Sequence, residues 1–95
     1  MSERLFEGLP STNLELLLDA LDRPARLKWV KDGVGHLARY GDREYNIYRT
    51  KQRKYRMVVR MQGEKSKVIG RPLNSLEETK LKCELYNTLL MHPRA

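Results

Sequence analysis

The sequence predicts a single α+β domain: an N-terminal helix, an antiparallel meander of about five strands and a C-terminal helix packed on one sheet face. Tyrosine and β-branched residues recur in short alternating runs between Arg26 and Arg71, and turn residues such as Asp32-Gly33, Gly41-Asp42 and Gly63-Glu64 separate those runs. After Asn74 the hydrophobic period lengthens to that of a helix. At 95 residues there is room for one core, so residues 1–95 are read as one domain. Its expected parts are a flexible start at 1–10, a helix over 11–23, sheet over 26–71 and a helix over 75–91.

Ser11 or Thr12 is the expected cap of the first helix, with Glu15 completing a capping box. Leu14, Leu17, Leu18 and Leu21 recur on one face, and Asp22-Arg23-Pro24 stops the helix. So short a helix must dock on something to persist in water. Residues 26–40 read as a hairpin turning at Asp32-Gly33, with Leu27, Trp29 or Val30 and Leu37 supplying its buried side and Trp29 as a core anchor.

From Glu44 the alternation sorts the faces. Tyr45 and Ile47 join Tyr55, Met57, Val59 and Met61 on the helix side, which leaves Asn46, Tyr48 and Thr50 with Arg56, Val58, Arg60 and Gln62 on the open side. In the last strand either Val68 or Ile69 points inward, and Gly70 marks a bend, so Lys67 and Arg71 are expected at the edge. Ser75 caps the final helix, with Glu78 as its capping-box partner. One stripe of that helix runs Leu76, Thr79, Cys83, Tyr86, Leu90, and a second runs Leu81, Leu85, Leu89. The second needs its own cover, from the leucine helix or from a second subunit in a homodimer.

The net charge is +7, and it is concentrated. Residues 45–71 hold nine Lys/Arg, namely Arg49, Lys51, Arg53, Lys54, Arg56, Arg60, Lys65, Lys67 and Arg71, against the single carboxylate Glu64. A surface that meets an anionic polymer concentrates charge in this way, whereas a solvated sheet face with basic edge residues is the plainer alternative. The predicted nucleic-acid site is those nine cations with Asn46 and Tyr48.

Other classes find little support. The two histidines, His36 and His92, fall in no catalytic or metal-ligand spacing, and no phosphate loop, nucleophile elbow or Cys-x-x-Cys is present, so the chain is read as non-enzymatic, without cofactor or metal. No apolar run approaches the length of a membrane span, and the charged start MSERLFEGLP does not read as a secretory signal. Cys83, the sole cysteine, fits a buried helix position in a reducing compartment, and a cytoplasmic location is expected.

The stretch from Tyr45 to about Leu90, with Y-x-I-Y-R, K-Y-R-M-V-V-R, I-G-R-P-L and S-L-E-E-T-K, resembles the three-strand-plus-helix DNA-binding domains of plant ethylene-response factors and the arm-binding domains of phage integrases. The resemblance implies an arginine-rich sheet in the major groove, with contacts from Arg49, Arg56, Arg60 and Lys67. This chain departs from it in lacking an exposed sheet tryptophan, in having Thr79 where alanine is usual and in adding the 26–40 hairpin. The pattern of an early Trp and a late L-E-E-x-K helix is also similar to small phage and prophage proteins. The expected function is therefore double-stranded DNA binding in a phage or mobile-element setting. The rival is a phage-encoded protein that binds and inhibits a host protein such as a nuclease.

Overall fold

The computed structural model describes residues 5–10, 14–23, 25–33 and 35–91. In chain order the elements are α1 (Leu14–Asp22), β1 (Val30–Asp32), β2 (Gly35–Tyr40), β3 (Arg43–Arg49), β4 (Tyr55–Met61), β5 (Lys67–Val68) and α2 (Leu76–Met91). The strands form one antiparallel sheet in the order β1-β2-β3-β4-β5. This is the predicted α+β meander with a helix at each end.

Turn chemistry fixes the register. Tyr40 pairs with Arg43, so Gly41 and Asp42 alone make the β2–β3 loop, and Gly41 takes the φ of +60° that such a tight turn needs at its first position. In the first hairpin Asp32 already pairs with Gly35. Asp32 is thus the last residue of β1, and the turn begins one position later than predicted, at Gly33 (φ +59°). The Gly41-Asp42 turn places Leu37 opposite Asn46 on the open face and Ala38 opposite Tyr45 in the core, which corrects the expectation for Leu37. Val30 is 59% exposed and contributes nothing to the buried side.

The sheet's inner face presents Ala38, Tyr45, Ile47, Met57, Val59 and Ile69 to Leu27, Cys83 and Tyr86. Tyr45 and Tyr86 meet edge to face, with centroids 6.2 Å apart. Trp29 is half-buried at the margin of this cluster, and its indole N–H is enclosed with no acceptor among the described residues. Of the two β5 alternatives Ile69 is the inward one, and Val68 is 53% exposed. Gly70 then turns the chain at φ +67°, and Leu73 makes an isolated two-bond bridge back to Tyr55.

The second stripe of α2 finds its cover inside the chain. Leu85 and Leu89, with Leu81, pack against Leu17, Ala20 and Leu21 of α1 and against Leu5. Within α1 the buried stripe is rotated from the predicted one, because Ala20 is fully enclosed while Leu18 is 54% exposed. Leu5, from the start of the chain, is also fully buried in this cluster. The carboxylate of Glu7 clasps the Arg71 guanidinium at 2.8 and 3.1 Å and accepts the Arg71 backbone N–H at 2.7 Å, which fastens this segment to the loop after β5. Those hydrogen bonds hold the Glu7 carboxyl below the usual carboxylate range. Ser11 and Thr12, the predicted caps that would pair with Glu15, lie outside the described residues.

Enclosed on both sides, α2 is buried at every position from Lys82 to Leu89, and its polar residues are placed to match. Ser75 caps it as expected, its Oγ accepting the Glu78 N–H at 3.3 Å. Glu84 Oε2 accepts the Leu27 N–H at 2.9 Å, and Thr88 Oγ1 accepts the Ala25 N–H at 2.8 Å, so the strandless stretch before β1 bonds to the helix instead. Asn87 Oδ1 takes three donors: Arg43 Nε at 3.0 Å, an Arg43 terminal nitrogen at 2.7 Å and the Tyr45 hydroxyl at 2.9 Å. Cys83 is wholly buried, and burial pushes its thiol pKa well up.

Candidate nucleic-acid interface

The face of the sheet opposite α2 is assembled by cross-strand pairing, since residues directly opposite one another project to the same side. Three rows result. Toward the β3–β4 turn, Tyr48 lies opposite Arg56. Across the middle run Val30, Leu37, Asn46, Val58 and Val68. Toward the β2–β3 turn, Arg39, Glu44 and Arg60 lie side by side.

The predicted site residues divide among these rows and the turns. Asn46, Tyr48, Arg56 and Arg60 are on the open face, as the alternation implied. Arg60 is not free there: its guanidinium sits 3.3 Å from Glu44 Oε2, which Arg39 Nε also approaches at 3.1 Å. Although burial pushes the Glu44 carboxyl up, hydrogen bonds from Asn46 and Arg39 and the charges of Arg60 and Arg39 outweigh it and hold the group below its ordinary value. Asn46 donates to Glu44 Oε1 at 3.2 Å, so its amide is turned toward that carboxylate as well.

Arg49 pairs with Tyr55 in the helix-side row, with its guanidinium 6.0 Å from the Tyr55 ring. Lys67, opposite Val59, is likewise on the helix side, exposed at the sheet edge. Arg71 is also at the edge but is committed to Glu7. Lys65 is in the turn between β4 and β5, at the other end of the sheet from Lys51, Arg53 and Lys54. The nine cations therefore do not form one continuous basic face. Alternation separates Arg49 from Arg56, and carboxylates distant in sequence neutralise Arg60 and Arg71.

What the fold does gather is the β3–β4 end. Arg49, Lys51, Arg53, Lys54 and Arg56 lie within eight residues, residues 45–63 contain no carboxylate, and none of the five makes an ion pair among the described residues. Thr50 organises the turn: its N–H donates to the Lys54 carbonyl at 2.7 Å, its carbonyl accepts the Arg53 N–H at 3.0 Å, and its hydroxyl accepts the Lys54 N–H at 3.2 Å. Arg53 is held at φ +62°, where glycine or asparagine would be cheaper by about 1 kcal/mol. The Arg56 Nε–H is enclosed without an acceptor among the described residues.

The sequence reading missed Arg39 and Glu44. The signal for them was present, because a two-residue Gly41-Asp42 loop forces Arg39 opposite Glu44, and the β3–β4 register then sets Glu44 opposite Arg60. Among the described residues no group of three or more His, Cys, Asp or Glu could hold a metal ion, and no helix is long and apolar enough to cross a membrane. Comparison with protein-family models, curated proteins and solved structures returned no match.

Proposed function

We propose that this chain is a non-enzymatic nucleic-acid-binding module that grips the backbone of double-stranded DNA with the β3–β4 end of its sheet. The observation that carries this reading is the cluster of five cations at that end, with no carboxylate between Tyr45 and Gly63 and no ion pair to neutralise it among the described residues. Phosphate contacts from such a cluster need no base reading, so they give affinity without sequence preference. Tyr48 and Arg56 on the adjoining open face are the groups within reach of base edges. Holding Arg53 in a left-handed conformation keeps a cation at the tip where a smaller residue would be more stable.

Fluorescence anisotropy with a random-sequence duplex across a salt series tests this. Five phosphate contacts predict that log affinity falls with log salt at a slope of about −4.5. Replacing Lys51, Arg53 and Lys54 with Gln makes the slope shallower by about 2.7 without unfolding the protein. Absence of binding even at low salt overturns the reading.

One observation favours a second reading, that of a module which binds a protein: the middle row of the open face is apolar except for Asn46, with Val30 and Val68 59% and 53% exposed. Stable capture of one protein from nuclease-treated lysate, lost on Val30→Asp or Val68→Asp, together with no duplex binding, would select it. An inhibitor of a nuclease is one form this reading takes.

A further inference from the structure

We propose that Arg39 and Arg60 form a second phosphate-binding subsite, for which the carboxylate of Glu44 is a built-in competitor standing where a phosphodiester would sit. The inference rests on the nucleic-acid reading above and extends it to the other end of the sheet.

The three side chains share one cross-strand row. Glu44 Oε2 is 3.1 Å from Arg39 Nε and 3.3 Å from a terminal nitrogen of Arg60, while Oε1 accepts from Asn46 at 3.2 Å. An oxyanion bridging two guanidinium groups is the arrangement a phosphate takes between arginines, because the planar N–H forks match either group. The arginine side chains are 71% and 53% exposed and the Glu44 side chain only 19%. The cations thus reach solvent while the anion between them lies lower.

Beside them opens a groove of about 280 Å³ lined by Arg39, Gly41, Asp42, Arg43, Glu44, Arg60 and Gln62, which gives an incoming anion a place to enter. Both arginines are more than half exposed, so a phosphodiester can displace the carboxylate at the cost of roughly one phosphate contact. Position supports the pairing with the first site. The row is near the start of β3 and the cation cluster near its end, and seven residues of strand span roughly 20 Å, close to six nucleotides along one strand of a duplex.

The experiment compares wild type, Glu44→Gln and Asp42→Asn by duplex titration over a salt series. Asp42→Asn removes the same charge from the same groove, but from a residue that neither arginine pairs with. Glu44→Gln is expected to bind about tenfold tighter than wild type near 0.1 M salt, the equivalent of one phosphate contact no longer shared with the carboxylate. Asp42→Asn should change affinity by no more than about twofold, as expected for an exposed, screened charge. Adding Arg39→Gln and Arg60→Gln to Glu44→Gln should erase the gain and make the slope shallower by about 1.8.

The inference is overturned if Glu44→Gln binds no tighter than Asp42→Asn, or if its gain survives loss of both arginines. Wild-type binding that still depends on Lys51, Arg53 and Lys54 would leave the first reading standing in that case. No binding by wild type or Glu44→Gln at low salt removes both. A urea melt of each variant verifies folding, and the arginine substitutions made in wild type alone provide a second route: unchanged affinity there also overturns the subsite.

Discussion

Truncating Asn87 to alanine tests whether the buried polar node beneath the sheet is as important as its geometry implies. Asn87 is fully buried, and its Oδ1 accepts the Tyr45 hydroxyl at 2.9 Å and Arg43 at 2.7 and 3.0 Å. Removing the amide leaves the hydroxyl of a wholly buried tyrosine without its acceptor, which costs about 1–3 kcal/mol. The Arg43 guanidinium is only half-buried and regains water, so its loss adds about 1 kcal/mol. The sum, about 2–4 kcal/mol, is a large share of the roughly 5–14 kcal/mol expected for a domain of this size.

In urea the midpoint should fall by about 1–3 M. Making the same truncation in a Tyr45→Phe background separates the hydrogen bond from the volume lost. Without the hydroxyl, Asn87→Ala should cost less by about 1 kcal/mol or more. Additive costs, within about 0.5 kcal/mol, would show that the Tyr45–Asn87 bond contributes nothing and refute the reasoning.

Two further outcomes follow from the backbone and from titration. Gly70→Ala places a methyl group 2.5 Å from Lys82 Nζ and 2.8 Å from the Glu7 carbonyl oxygen at a φ of +67°; a loss of about 2 kcal/mol is expected, lowering Tm by roughly 8 °C or more in calorimetry. Raising the pH should unfold the protein through groups whose protons the folded state keeps longer than the unfolded chain. Burial pushes Tyr45 from 10.0 to about 12 and raises Cys83 and Tyr86, so the unfolded state deprotonates first and stability declines as pH climbs through and beyond their ordinary values. Burial lowers Lys82, which acts in the opposite sense over the same range. Tyr45 alone accounts for about 2–3 kcal/mol by pH 12, and Tyr45→Phe should flatten the fall in urea midpoint there.

The parts of the fold legible in the sequence were those set by short-range rules. Alternation in Tyr55–Met61 and in Tyr45–Ile47 assigned faces correctly because both strands are central and buried on one side. The Ser75 cap and the two stripes of α2 followed from helical spacing, whereas spacing left the cover of Leu85 and Leu89 open between α1 and a second subunit. Leu37 was misplaced because it was grouped with the apolar residues of the first hairpin, whereas the Gly41-Asp42 turn fixes its face by setting it opposite Asn46.

The candidate site was less legible for a different reason. Counting charges over 45–71 cannot reveal that Glu7, 64 residues before Arg71, neutralises it, because that pairing exists only after the N-terminal segment docks. Glu44 could have been anticipated, since the registers of three consecutive strands suffice to place it between Arg39 and Arg60.

The placement of α2 has a consequence for how the chain is made. Both hydrophobic clusters draw on this one helix, with the sheet's inner face meeting Cys83 and Tyr86 and the α1 leucines meeting Leu85 and Leu89. Everything that shelters against α2 is synthesised before it, so the nascent strands and leucines wait without their common partner until the last turns clear the ribosome. At roughly 5–20 residues per second, translating the 16 residues of that helix takes on the order of one to three seconds. A chain stopped before Ser75 is therefore expected to lose burial for both clusters at once.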